Sequence, residues 1–236
     1  MHKKRSLDPG DSKEMVAARR RFLAAGHYQP IADAVARVLL ASLPAAASCL
    51  DAGCGEGYYL RRLATAADAG QNLALLGLDI SKWAVLAAAK QDRRPNWVVG
   101  SNANLPVLTG TLDRVLCLFG FPVHAEFARV LKAGGELVQV DAGPGHLREL
   151  REIIYPRLKP ERTGSKAPTP TGFRHLGTET LGYSCALAGA EQIADLLTMT
   201  PHLYRASAEG RARAAALSAL TLTVDVRLAR FARDAA

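Results

Sequence analysis

The chain has 236 residues, 49% of them hydrophobic, with 30 Lys and Arg against 22 Asp and Glu for a net charge of +8. That is ample for one buried core with appendages. No apolar run reaches the length of a membrane span and the N-terminus lacks a signal-peptide core, so a cytoplasmic protein without a membrane partner is expected.

The first eleven residues hold Lys3-Lys4-Arg5 and the turn sequence Asp8-Pro9-Gly10-Asp11. Ser12 suits the N-cap of a helix from Lys13 to Ala25 that carries Arg19, Arg20 and Arg21, and Gly26 stops it. His27-Tyr28-Gln29-Pro30 connects to a second helix, Ile31 to Leu43, ended by Pro44. A short apolar strand then runs into Asp51, followed by Gly53, Gly55 and Gly57 at alternate positions and by Tyr58-Tyr59-Leu60, which begins a helix. Leu73 to Asp79 is a second apolar strand ending in an acid, 22 residues after Gly57. A helix over Trp83–Gln91 and a third strand over Asn96–Gly100 follow, with the loop Ser101-Asn102 beyond. Leu112 to Phe119 is the fourth strand, continued by Gly120-Phe121-Pro122. His124–Leu131 is a helix, Gly134-Gly135 turns into a fifth strand, Glu136 to Asp141, and Gly143-Pro144-Gly145-His146 leads into a helix near Leu147–Ile154.

From Tyr155 to Gly172 four prolines and mixed charge read as a lid loop. A strand near Leu181–Leu187, a helix over Ala190–Leu197 and an alternating stretch within Leu217–Phe231 complete the chain. Strands alternating with helices imply an α/β, doubly wound, mostly parallel sheet with helices on both faces. Ligands in such sheets bind beyond the strands' carboxyl ends, where Asp51, Asp79, Gly100 and Phe119 fall.

Strand, glycine turn, helix and a later acid make a nucleotide-binding βα unit. A carboxylate at the tip of the second strand suits a ribose diol, in a dinucleotide or an S-adenosylmethionine site. The spacing D-x-G-x-G-x-G, with Asp51 leading, resembles the first motif of class I S-adenosylmethionine methyltransferases, and Asp79-Ile80-Ser81 resembles their second. An NAD-dependent oxidoreductase is disfavoured because Asp51 stands where its fingerprint wants glycine. The resemblance implies cofactor contacts from Asp51, Gly53, Cys54, Gly55, Glu56, Gly57, Tyr58, Tyr59, Asp79, Ile80 and Ser81, with Ser101 and Asn102 flanking the adenine.

Across its whole length the chain further resembles bacterial 23S ribosomal RNA guanine-N1 methyltransferases. The stretches that carry this are K-R-S-L-D-P-G-D-S-K-E-M (4–15), F-L-A-A-G-H-Y-Q-P (22–30), D-A-G-C-G-E-G-Y-Y (51–59), G-L-D-I-S-K (77–82), A-G-P-G-H-L-R-E-L (142–150) and L-L-T-M-T-P (196–201). The glycine motif discriminates poorly, whereas D-P-G-D-S together with G-H-Y is specific. The resemblance implies a basic helical cap over residues 1–44, a methyltransferase domain over 45–236, and His27 and Tyr28 near the cofactor. That family carries a four-ligand zinc module at its start. Here the four cysteines (Cys49, Cys54, Cys117 and Cys185) form no C-x-x-C pair, and the expectation is no zinc, reduced thiols and weak methylation of isolated RNA.

Guanine N1 carries a proton at neutral pH, so methylation there also requires proton removal. Asp141 and His146 are the candidates at the correct edge, although a turn cap and a surface histidine are the bland readings of the two. Phe119, Phe121 and Pro122 could wall the acceptor pocket. Residues 1–21 and 146–174 each hold seven Lys or Arg against three acids, which permits ribosomal RNA as a partner, Arg19, Arg20 and Arg21 among its contacts. A small-molecule methyltransferase with an incidental basic surface, or a cofactor-binding RNA-associated protein of weak activity, stays open at this point. A homodimer is equally allowed.

Overall fold

The computed structural model describes residues 8–41, 43–67, 70–157 and 169–235. Five strands run parallel: β1 (Ala46–Ala52), β2 (Asn72–Asp79), β3 (Asn96–Val99), β4 (Leu112–Leu118) and β5 (Leu131–Ala142). Two more, β6 (Phe173–Ala188) and β7 (Ala219–Arg233), close one side as a long antiparallel pair. The sheet order is β3-β2-β1-β4-β5-β7-β6. The order reverses between β1 and β4, which puts the ligand crevice at the end of β1.

Helices α1 (Lys13–Ala24), α2 (Gln29–Leu40) and α3 (Tyr58–Ala66) share one apolar core with the sheet, in which Phe22, Ile31 and Leu39 join Cys49, Leu60, Leu116 and Val140. Ser12 caps α1 by accepting from Met15 N at 3.2 Å, which satisfies one of the helix's orphan donors. The opposite face is covered by α5 (His124–Val130), whose Phe127 and Val130 meet Leu50, Val115 and Leu137. The alternation of β5 divides its residues between the two cores: Val138 and Val140 point to the first, Leu137 to the second. The remaining helices are α4 (Lys82–Gln91), α6 (Arg148–Ile154), α7 (Ala190–Thr198), α8 (His202–Arg205) and α9 (Ala208–Ala215).

Four elements differ from the sequence reading. Strand β5 begins at Leu131, and Gly134-Gly135 forms an irregularity in its pairing with β4 rather than a turn before it. Strand β6 begins at Phe173, well before Leu181, because its outward side is exposed polar and small residues that carry no apolar alternation. Helices α8 and α9 were not expected; they are short and, apart from Gly210 and Ala214, bury little. Lys3-Lys4-Arg5 and most of the expected lid, residues 158–168, lie outside the described residues. Among the described residues no helix is long and apolar enough to cross a membrane.

Candidate functional site

The loop between β1 and α3 carries the chemistry. Asp51 lies next to last in β1, paired with Gly77 of β2 and Leu116 of β4. It is 1% exposed, and neither carboxylate oxygen has a hydrogen-bond partner. Burial above all, and then the charge of Asp79, push its carboxyl up to about 7. Asp79, at the tip of β2, accepts from Gly55 N (2.9 Å) and Ser81 N (2.8 Å). Burial raises it too, against those two bonds and the nearby Arg19 guanidinium.

A buried carboxylate without a partner is costly, and its natural complement is a cation. At Gly53 the backbone has a φ of 98° and a Cβ there would meet open space, so a ligand could lie against the main chain. Ile80 and Val99, just past β2 and at the end of β3, are 44% and 54% exposed. Apolar side chains left bare at a sheet's carboxyl edge mark a binding surface. Cation site, diol acceptor and apolar flank together fit S-adenosylmethionine. Gly57 closes the loop at φ 81°, where a Cβ would overlap the Trp97 ring, as it would at Gly77. Trp97, with its Nε1 donating to Asp92 O at 2.8 Å, is thus the support beneath the loop.

Not every loop side chain faces that crevice. Glu56 turns away into an ion pair with Arg61 (2.7 Å) and a bond from Gln91 Nε2 (2.6 Å). Cys54 is buried, its Sγ 3.5 Å from Gly55 O. Tyr58 and Tyr59 are half-buried and meet edge-on at 5.2 Å. The N-terminal turn locks onto the second motif instead. Ser81 Oγ donates to Asp11 O at 2.6 Å, Lys82 pairs with Asp8 at 2.5 Å, and a Cβ at Gly10 would come 2.8 Å from Ile80 Cγ2. This contact joins D-P-G-D-S to the second cofactor motif in space.

The three consecutive arginines of α1 do not share a surface, as successive helical residues are about 100° apart. Arg19 pairs with Asp11, donates to Met199 O (3.0 Å) and lies over the glycine loop, its Nη1 3.6 Å from where a Cβ of Gly55 would be. Arg21 is held by Asp195 at 2.9 and 2.5 Å. Arg20 is exposed. His27 contacts β6: its Nδ1 is 3.5 Å from Cys185 Sγ and its carbonyl accepts from the Tyr183 hydroxyl.

Tyr28, His146 and Phe119 form a cluster at the same sheet edge. Tyr28 Oη is 3.2 Å from His146 Nε2, and Phe119 stacks on the imidazole at 5.7 Å. His146 Nδ1 accepts from Asp225 N at 3.3 Å, so the neutral ring carries its proton on Nε2 and donates to Tyr28. Burial first, and His202 and Arg151 after it, bring this histidine down to about 4. At neutral pH it is uncharged, with both nitrogens engaged. Phe119 sits at φ 51° and is 40% exposed, a strained conformation for a bulky residue and one that gathers at functional sites. Phe121 is 89% exposed beside half-buried Pro122. Asn102 Nδ2 reaches Phe121 O (3.2 Å) and Ala52 O (3.4 Å), tying the third-strand loop to this mouth, while exposed Ser101 accepts from Ala103 N. Asp141 is exposed and accepts from Gln139 Nε2 at 2.7 Å.

Two acids that sequence reasoning passed over hold this edge together. Asp225 accepts from Gly145 N at 2.9 Å and crowds Gly143. Glu149 binds Thr223 through both its amide (2.8 Å) and its hydroxyl (2.7 Å). Gly143, whose Cβ would overlap the Asp225 carboxylate, and Gly145, whose Cβ would come 3.2 Å from it, are the sequence signals that a partner approaches there.

A family model described as a methyltransferase domain matches residues 49–135. A Bacillus subtilis protein, provisionally named a 23S rRNA (guanine-N(1)-)-methyltransferase, is 32% identical over 90% of this chain and 77% of its own. A provisionally named counterpart from Micromonospora griseorubida is 33% identical over 94% and 80%. The 23S rRNA (guanine(748)-N(1))-methyltransferase of Streptomyces fradiae is 33% identical over 61% and 51%. Among solved structures, the YcgJ protein of Bacillus subtilis has a TM-score of 0.52 at 15% identity, covering 87% of this chain and 98% of its own, a likeness of fold.

Proposed function

The chain belongs to the 23S rRNA (guanine-N(1)-)-methyltransferase family, and from that premise we propose that this S-adenosylmethionine-dependent methyltransferase acts on N1 of a guanine in 23S ribosomal RNA. The observation that carries the donor half of this reading is the buried, unpartnered Asp51 beside the glycine loop. Asp51 would take the cofactor's ammonium, Asp79 its ribose diol through lone pairs left beyond Gly55 and Ser81, and Ile80, Ser101 and Asn102 would border the adenine. Cys54, Glu56, Tyr58 and Tyr59 would shape the loop rather than touch the ligand. The bound cofactor supplies a methyl group activated on a sulfonium, so the protein's task is to position the acceptor and exclude water.

On the acceptor side, Phe119, Phe121 and Pro122 offer an apolar wall against which a base could stack. The Tyr28 hydroxyl, accepting from His146, keeps its own hydrogen to donate, and the guanine O6 is an acceptor adjacent to N1. A donor there favours the form of the base that has lost its N1 proton. With His146 Nδ1 occupied, we assign proton removal to Asp141, an exposed carboxylate with an oxygen not bonded to Gln139. Incubation with methyl-labelled cofactor and either deproteinised ribosomal RNA or a panel of small metabolites tests the function. Label in the 23S species is expected; label only among metabolites would overturn it.

A further inference from the structure

The region outside His146 holds two arginines, Arg151 and Arg205, that pair with no carboxylate among the described residues. Arg151 of α6 bends back onto the glycine-rich turn, its Nη1 donating to the carbonyls of Pro144 (2.8 Å) and His146 (3.3 Å). The Tyr155 hydroxyl lies 2.7 Å from His202 Nδ1, with the rings edge-on at 5.6 Å. Tyr204 is 71% exposed, its hydroxyl steadied on Met15 Sδ of α1 at 3.4 Å, and Arg205 beside it is exposed.

The acids of α6 do not answer these charges. Glu149 is committed to Thr223 and Glu152 to Arg148 at 2.9 Å. Accordingly Arg151 and Arg205 both push the His202 imidazole down, after burial, and both oppose the rise that burial gives the Tyr155 phenol. Like charges gathered without counter-charges repel one another, and an anion from outside relieves that repulsion. An exposed tyrosine within a basic cluster adds a flat surface on which a base can stack.

We propose that Arg151, Tyr204 and Arg205, set around His202, form a docking surface for single-stranded RNA, the two arginines meeting backbone phosphates and Tyr204 stacking a base that flanks the target nucleotide. The contact of Arg151 with the His146 carbonyl puts this surface beside the acceptor cluster, so a strand held on it passes the mouth lined by Phe119. This rests on the reading that the substrate is ribosomal RNA.

The test measures binding of a 23S ribosomal RNA transcript across a salt series, using the full chain with S-adenosylhomocysteine bound. Arg205→Gln should weaken binding and flatten the slope of log K against log salt by about 0.7, the share of one single-strand phosphate. Tyr204→Ala should weaken binding by at least about fivefold with the slope kept. Both should raise KM for RNA in methyl transfer and leave homocysteine-product affinity unaltered. Arg93→Gln, an equal loss of charge at an exposed turn after α4, should match the wild type. If Arg205→Gln and Tyr204→Ala bind and methylate RNA as the wild type does, the docking surface is wrong while the RNA function stands. A wild type that neither binds nor methylates RNA overturns both.

Discussion

Titrating cofactor affinity with pH probes Asp51 directly. In the free protein its carboxyl is pushed up from 3.8 to about 7, chiefly by burial and then by Asp79. The folded value exceeds the unfolded one, so stability from this group is complete below about pH 4. It is lost progressively as pH rises toward 7, reaching a cost of about 4 kcal/mol above that. A ligand ammonium placed on Asp51 reverses the preference and binds the ionised form. Affinity for S-adenosylhomocysteine, which keeps the ammonium but lacks the sulfonium charge, should therefore be flat above pH 7. It should fall by about threefold, about 0.7 kcal/mol, between pH 7.5 and 6.5, and approach about tenfold per pH unit, about 1.4 kcal/mol, well below 7. Burial of Asp79 adds to the fall at the acid end. Calorimetry in buffers of different ionisation enthalpy should detect proton release on binding near pH 6. Asp51→Asn should bind more weakly at pH 8, lose the proton release, and unfold at higher temperature than the wild type in the absence of ligand. Equal wild-type affinity at pH 6 and 8, or an Asn variant that keeps the pH dependence, would refute the pairing of Asp51 with the ammonium.

Other substitutions test the neighbouring parts. Asp79→Ala should cost on the order of 2–3 kcal/mol of cofactor affinity through lost charge-assisted hydrogen bonds, measured by the same calorimetry. Gly77→Ala should drop the thermal midpoint, because its Cβ would overlap Trp97. Overpacking of this kind costs typically about 1–3 kcal/mol, and Gly77→Ala combined with Trp97→Leu should recover part of it. Asp141→Asn should lower kcat for RNA by about a hundredfold or more with cofactor affinity kept.

The apolar runs, the cap at Ser12 and the glycine spacing were legible because each is a local rule: a period, a cap, a turn residue. The same rules placed Asp51 and Asp79 at the ends of adjacent strands, since a parallel strand running into a glycine turn must end at the ligand edge. What stayed hidden was long-range. Nothing local tells that Asp225 reaches back to Gly145, or that Glu149 will fasten Thr223 rather than face solvent. The run Arg19-Arg20-Arg21 reads as one basic patch, yet helix geometry sends Arg19 over the glycine loop and Arg21 to Asp195. His146 reads as a base by residue type, and only the Asp225 amide on its Nδ1 shows where its proton sits.

The most direct test of the account is the chemical identity of the methylated product. Ribosomal RNA labelled by the full chain would be digested to nucleosides and separated, and intact labelled RNA would be copied by primer extension. The account predicts label in 1-methylguanosine alone and one strong stop in 23S RNA, since a methyl on N1 blocks the pairing edge of the base. Label in an exocyclic-amine or ribose methylated nucleoside, or in no nucleoside at all, would contradict it.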